Sequence, residues 1–181
     1  MTEWVAFLRA VNVAGKPWLL KDQVCKAFEA AGCRRARVCV SGMNVLFETR
    51  GASIPEKPVA RELGNLAGAK ITILYRSRKD IETVARSKPF GKSHGNPRLK
   101  LWVVFLKERP RKRPALPLVS PKDGLELIAV KGREAYVLSQ PKKTGLLYGF
   151  PNAFVEDALG TVATSRQWST IAKVAAAFNK T

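Results

Sequence analysis

Histidine, cysteine and acid are scarce in this chain of 181 residues, which holds one His, three Cys and 14 Asp plus Glu. A Ser-His-Asp or Cys-His relay needs an imidazole to carry the proton, and the single one, His94, falls in a stretch rich in Gly and Pro. Zinc needs Cys and His ligands at close spacing, which Cys25, Cys33, Cys39 and His94 do not supply. The three thiols match neither a CxxC pair nor a disulfide framework, and read as small reduced residues packed inside. Neither a GxxxxGK[ST] loop nor a GxGxxG element after a strand occurs, and Ala14-Gly15-Lys16 is only the tail of one. No metal and no cofactor is therefore expected. Long apolar runs are also missing, as is a charged-then-apolar start, so the expectation is a cytoplasmic protein with no membrane partner.

Basic residues, by contrast, are abundant, with 32 Lys and Arg giving a net charge of +18 and a pI near 10.3. Residues 1–90 carry 16 of them against 8 acids and residues 91–181 carry 16 against 6, so the excess is spread along the chain. A polyanionic partner such as nucleic acid fits this balance, and so does a plain solubility role. The densest run, Lys107-Glu-Arg109-Pro-Arg111-Lys112-Arg113, is broken by proline and reads as a solvated loop able to meet phosphates.

The apolar pattern predicts an α+β fold. Trp4 to Leu8 is almost unbroken, as in a strand buried on both faces, and Arg9, Asn12 and Gly15-Lys16-Pro17 follow where that strand ends. A helix over about 19–31 ends at Gly32, with Leu20, Val24, Ala27, Phe28 and Ala31 at helical spacing. Two strands, Arg37 to Ser41 and Val45 to Glu48, flank a turn at Gly42-Met43-Asn44. A second helix carries Val59, Leu63, Leu66 and Ala67 on one face and stops at Gly68, and Lys70 to Tyr75 is a fourth strand. This βαββαβ order is ferredoxin-like. RNA-recognition domains share it, but their exposed aromatic platform has no counterpart in Val45, Leu46 and Phe47, which suit core packing.

Ser77-Arg-Lys-Asp80 resembles a capped helix start, and Lys88 to Arg98 is a loop that divides the chain into two subdomains, 1–90 and 91–181. The second is expected to be a small antiparallel sheet with terminal helices. It comprises a strand at Leu99 to Leu106, a hairpin turning at Gly132-Arg133, a short helix over 152–159 and a last helix. Thr164-Ser-Arg-Gln167 fits a capping box opening that last helix, with Trp168, Ile171, Ala175 and Phe178 on its buried face. Arg166 would then lie in a first turn, against the helix dipole, and call for an anionic neighbour.

Three stretches together resemble the bacterial domain of unknown function 1697 family. They are Leu8-Arg9-Ala-Val-Asn12-Val-Ala-Gly15-Lys16, Ser41-Gly42-Met43-Asn44-Val-Leu-Phe47 and Thr164-Ser-Arg166-Gln-Trp168-Ser-Thr170, with Lys88-Pro89-Phe90 near the family's Asn-Pro-Phe. Ala10 and Ala14 stand where the family favours glycine, Met43 interrupts its Ser-Gly-Asn, and Gln167 replaces its Asn. The resemblance spans essentially the whole chain and implies two α+β subdomains, the first ferredoxin-like. It implies no particular activity.

Two sets of candidate binding residues follow. Arg9, Asn12, Gly15, Lys16, Asn44 and Arg166 combine paired guanidinium donors, a point charge and fixed amides that suit a small anion at a cleft between subdomains, bound or turned over. The bland reading of the same residues is that asparagines close turns and arginines bridge carbonyls. Lys107, Arg109, Arg111, Lys112 and Arg113 form the second set, a surface for a polyanion held through its phosphates. A non-catalytic polyanion-binding protein leads, with the small-anion enzyme or binder as the alternative.

Overall fold

Strand β1 (Thr2–Arg9) is the centre of the first sheet in the computed structural model, which describes residues 1–12, 15, 18–40, 43–141 and 149–179. It pairs antiparallel with β3 (Asn44–Thr49) on one side and β4 (Thr72–Ser77) on the other, while β2 (Arg34–Cys39) borders β3. With helices α1 (Lys21–Ala30) and α2 (Glu56–Ala67) between the strands, the sheet order β2-β3-β1-β4 is the ferredoxin-like arrangement expected from the sequence. The chain divides into two units, Met1–Thr83 with Lys173–Thr181, and Val84–Ala172.

The unbroken apolar run of β1 is explained by burial of both its faces. Ala6 and Leu8 join Val45, Phe47, Ile73 and Tyr75 against Val24 and Phe28 of α1 and Val59 and Leu63 of α2. Phe47 stands at the middle, with ring centroids 5.0 Å from Phe28 and 6.1 Å from Tyr75. Removing such a ring costs about 3–5 kcal/mol. On the opposite face Val5, Phe7, Leu46 and Leu74 are also buried, together with Arg76, whose guanidinium donates to the Tyr75 carbonyl at 2.8 Å. The end of the chain reaches this side, since Arg37 donates to the Ala177 carbonyl and Arg78 lies 5.8 Å from the Phe178 ring centre. The face on which RNA-recognition domains stack bases is thus closed in this unit.

Local signals set the helix ends. Gly32, at φ +89°, ends α1 with Cys33 N–H donating to Phe28 and Gly32 N–H to Glu29, and Gly68 at φ +61° ends α2. Helix α3 (Arg78–Arg86) opens on a reciprocal box: the Ser77 N–H donates to Asp80 at 3.0 Å and the Asp80 N–H to the Ser77 hydroxyl at 3.2 Å.

In the second unit five antiparallel strands lie in the order β6-β7-β8-β5-β9. They are β5 (Lys100–Leu106), β6 (Leu118–Ser120), β7 (Leu125–Lys131), β8 (Glu134–Ser139) and β9 (Ala163–Gln167). Helix α4 (Pro151–Leu159) places Val155 and Leu159 on Trp102, Val104, Leu106, Leu127 and Val137, and α5 (Trp168–Ala177) follows β9 directly.

Several expectations are corrected. Thr164–Gln167 is not a helix cap: it is an edge strand pairing with β5 from Trp102↔Gln167 to Leu106↔Ala163, because ladder hydrogen bonds outweigh a local capping pattern. Arg166 therefore lies in a strand and not in the first turn of a helix. Leu66 is exposed, so the apolar face of α2 is narrower than its periodicity suggests, and Trp168 is half-buried. Strand β6 has only three residues, below what alternation can reveal.

Candidate functional site

Three places in the described residues gather chemistry, and the first is one end of the first sheet. The register Phe7↔Asn44 and the Leu8 N–H bond to the Met43 carbonyl, 3.3 Å, bring the loop after β1 beside the turn before β3. Arg9, Asn12, Gly15 and Asn44 share this end. Lys16 lies outside the described residues, and Arg166 belongs to the other unit.

The two asparagines here hold backbone. Asn12 donates its amide to the Leu19 carbonyl at 2.8 Å and accepts the Leu19 N–H at 2.6 Å, so one side chain clasps both ends of the loop. Asn44 is fully buried and donates to the Cys39 carbonyl at 3.3 Å across the β2–β3 turn. Among the described residues four other than glycine have left-handed backbone at this end: Ala10 (φ +54°), Asn12 (+54°), Val40 (+59°) and Met43 (+51°). Arg166 sits in β9, where its guanidinium donates to the Thr164 hydroxyl at 3.0 Å and the Ser165 carbonyl at 2.8 Å. Its side chain keeps some exposed surface, yet the charged end is deep enough that lost hydration pulls its pKa down to about 10, leaving it a cation at neutral pH.

The second place is the basic loop. It leaves β5 and is fastened to the C-terminal end of α4 and the residues beyond it. The Lys107 N–H donates to Val162, and the N–H groups of Arg111 and Lys112 both donate to the Leu159 carbonyl, at 2.9 and 3.2 Å. The Lys112 ammonium donates to the Asp157 carbonyl at 3.1 Å, a cation on carbonyls that carry the negative end of the helix dipole. Arg111 pairs with Glu108 at 2.8 Å, and this guanidinium holds the Glu108 carboxyl below the usual carboxylate range. Arg109 and Arg113 make no ion pair among the described residues. With Lys112 they rim a cavity of about 360 Å³ whose walls include Pro110, Pro114, Leu116, Val130 and Leu159.

The third place escaped sequence reasoning. A cavity of about 450 Å³ is lined by Ala85, Lys88, Phe90, Gly91, His94 and Trp168. Phe90 is buried and meets Trp168 edge to face at 5.5 Å and Tyr136 at 5.9 Å, while His94 stands 6.2 Å from Trp168. Tyr136 is itself anchored by a hydrogen bond with Ser87, and burial pushes its hydroxyl pKa up. Lys88, Phe90 and Trp168 all fall in or beside the family-like stretches, a signal that could have paired them. What joins them is the β5–β9 ladder, which the capping pattern at Thr164 concealed.

The cysteines carry no pairing. All three are free, and burial pushes Cys33 and Cys39 up to about 11 and raises Cys25, so the thiols stay protonated at neutral pH. Among the described residues no three His, Cys, Asp or Glu side chains gather to hold a metal ion, and no helix is long and apolar enough to cross a membrane.

These features define an α+β protein of two units, each built on an antiparallel sheet, with basic and aromatic concavities in the second. Residues 1–136 match the model of the family described as protein of unknown function (DUF1697), and the chain belongs to that family. Its fold is similar to the structure of the conserved bacterial protein SP0830 from Streptococcus pneumoniae. The TM-score is 0.61 at 11% identity, over 97% of each chain, a likeness of fold alone. No curated protein matches.

Proposed function

We propose that the protein is a non-catalytic binding protein that engages a polyanion such as nucleic acid through the basic surface of its second unit. The observation that carries this reading is the loop from Lys107 to Arg113. Its backbone is fastened to the end of α4, while Arg109 and Arg113 stand exposed without carboxylate partners among the described residues, at the rim of a concavity. A loop whose backbone is already fastened loses less freedom on meeting phosphate than a free one, and each phosphate neutralised releases counterions. Arg111 and Lys112 contribute less, because Glu108 and the Asp157 carbonyl already hold them. The small-anion alternative at Arg9, Asn12, Gly15, Lys16, Asn44 and Arg166 draws on two amides that Leu19 and Cys39 already engage.

Titration against short single-stranded and duplex nucleic acid at about 50 and 200 mM salt tests the reading. Micromolar binding that weakens by orders of magnitude at the higher salt is expected. Arg109→Ala with Arg113→Ala should flatten the duplex salt slope by about two, whereas Arg111→Ala alone should change it little. Absence of binding at the lower salt, or an unchanged slope in the double variant, overturns it.

A further inference from the structure

The cavity beside Trp168 is separate from the basic loop. Trp168 follows the end of β9 that pairs with Trp102, whereas the basic loop leaves the other end of β5, past Leu106. We infer that this cavity is a binding site for a small planar aromatic carboxylate.

Size comes first. At about 450 Å³ the space falls within the range of small-molecule sites, and its lining mixes aromatic walls with the amine of Lys88 and the imidazole of His94. Shape follows from the rings. Phe90 and Trp168 meet at 73° and His94 and Trp168 at 88°, so neighbouring walls stand nearly perpendicular. Phe90 is buried, so the ring surface open to a ligand is that of the half-buried Trp168 and the exposed His94. A flat ring entering their corner stacks on one and receives the edge of the other, the two arrangements aromatic pairs favour. Walls of this kind are also stiff. Phe90 is buried against Tyr136, 5.9 Å away and held by Ser87, so the inner part of the corner is formed before a ligand arrives.

Charge selects the substituent. Lys88 and His94 both line the cavity and, among the described residues, no Asp or Glu does, which favours an anion and disfavours a cation. Lys88 is exposed, so its ammonium can meet a carboxylate at the mouth while the ring of the ligand lies inward.

The test uses the full chain with 2-naphthoate, its neutral amide 2-naphthamide, and acetate, followed by NMR of the Trp168 indole N–H and the His94 ring. Naphthoate is expected to shift both signals with a dissociation constant below about 1 mM. The amide should bind at least fivefold more weakly, and acetate should leave the signals in place. Lys88→Gln, at an exposed position that leaves packing intact, should erase the preference for acid over amide. Trp168→Phe, which keeps a ring in the wall, should weaken naphthoate several-fold. Arg109→Ala with Arg113→Ala should leave naphthoate binding unchanged, so the outcome is independent of the polyanion reading. Equal binding of acid and amide, shifts confined to the Arg109 cavity, or no shift at millimolar naphthoate each overturns the assignment.

Discussion

Asn12→Ala tests whether the first family-like stretch serves the fold. The side chain makes two hydrogen bonds to one residue, donating to the Leu19 carbonyl at 2.8 Å and accepting its N–H at 2.6 Å, and Leu19 is only 1% exposed. Removing the amide leaves a donor and an acceptor of nearly buried backbone without partners, at about 1–3 kcal/mol each when water cannot replace them. Asn12 is itself half-buried, which admits some solvent and places the pair near the lower end, about 2–4 kcal/mol together. Alanine at φ +54° adds roughly 1 kcal/mol, since a Cβ crowds the carbonyl there and alanine lacks the local hydrogen bonding that lets asparagine tolerate it. The expected loss is therefore roughly 3–5 kcal/mol, read by urea unfolding, with a thermal midpoint about 10 °C lower for a chain of this size.

Asn12→Asp sharpens the test. It keeps the acceptor for the Leu19 N–H but sets a second oxygen against the Leu19 carbonyl, so it should recover only part of the loss. A loss below about 1 kcal/mol in Asn12→Ala would refute the clasp and return the amide to the set available for a ligand.

Four shorter tests follow. Tyr75→Phe should be neutral or stabilising by about 1 kcal/mol in urea unfolding, because the buried Tyr75 hydroxyl has no hydrogen-bond partner among the described residues. Burial also raises the Tyr75 pKa in the fold, so unfolded Tyr75 ionises first; stability should be full below pH 10 and fall above it, and the variant should show less of that fall. Cys33 and Cys39, raised to about 11, should react slowly with a thiol reagent at pH 7.5 and fully once urea unfolds the chain. Ser77→Ala should cost about 1 kcal/mol through the lost cap of α3, measured by thermal unfolding.

Much of the first unit was legible because its signals are local. Gly32 and Gly68 mark helix ends by their backbone freedom, Ser77 and Asp80 by reciprocal hydrogen bonds, and the run from Trp4 to Leu8 by burial on both faces. What could not be read depends on partners distant in sequence. Thr164–Gln167 carries a pattern equally good for a cap, and only β5, some 60 residues earlier, decides for a strand. Composition does not single out Arg76 among 32 Lys and Arg, yet it is the largest fully buried side chain among the described residues, because β4 turns it inward opposite Val5. Arg109 and Arg113 could not be separated from Arg111 and Lys112 by composition; Glu108 and the end of α4 do that.

The family-like stretches now divide by what their residues touch. Ala10 stands at a glycine-favoured position of the motif and has φ +54°, so the family preference has a backbone cause: the chain must pass through a left-handed residue there. Ala10→Gly should then leave stability unchanged or raise it by up to about 1 kcal/mol, the relieved crowding outweighing the added freedom of the unfolded chain. Asn12 and Asn44 likewise close the loop and turn at this end of the sheet. Phe90 and Trp168 are different. Each could pack in a closed core, yet both line an open cavity with Lys88 and His94 beside them. The stretch around Trp168 is where the inferred ligand would act, and the stretch around Asn12 is where the family pattern is explained by the chain itself, whose loop the Asn12 amide closes.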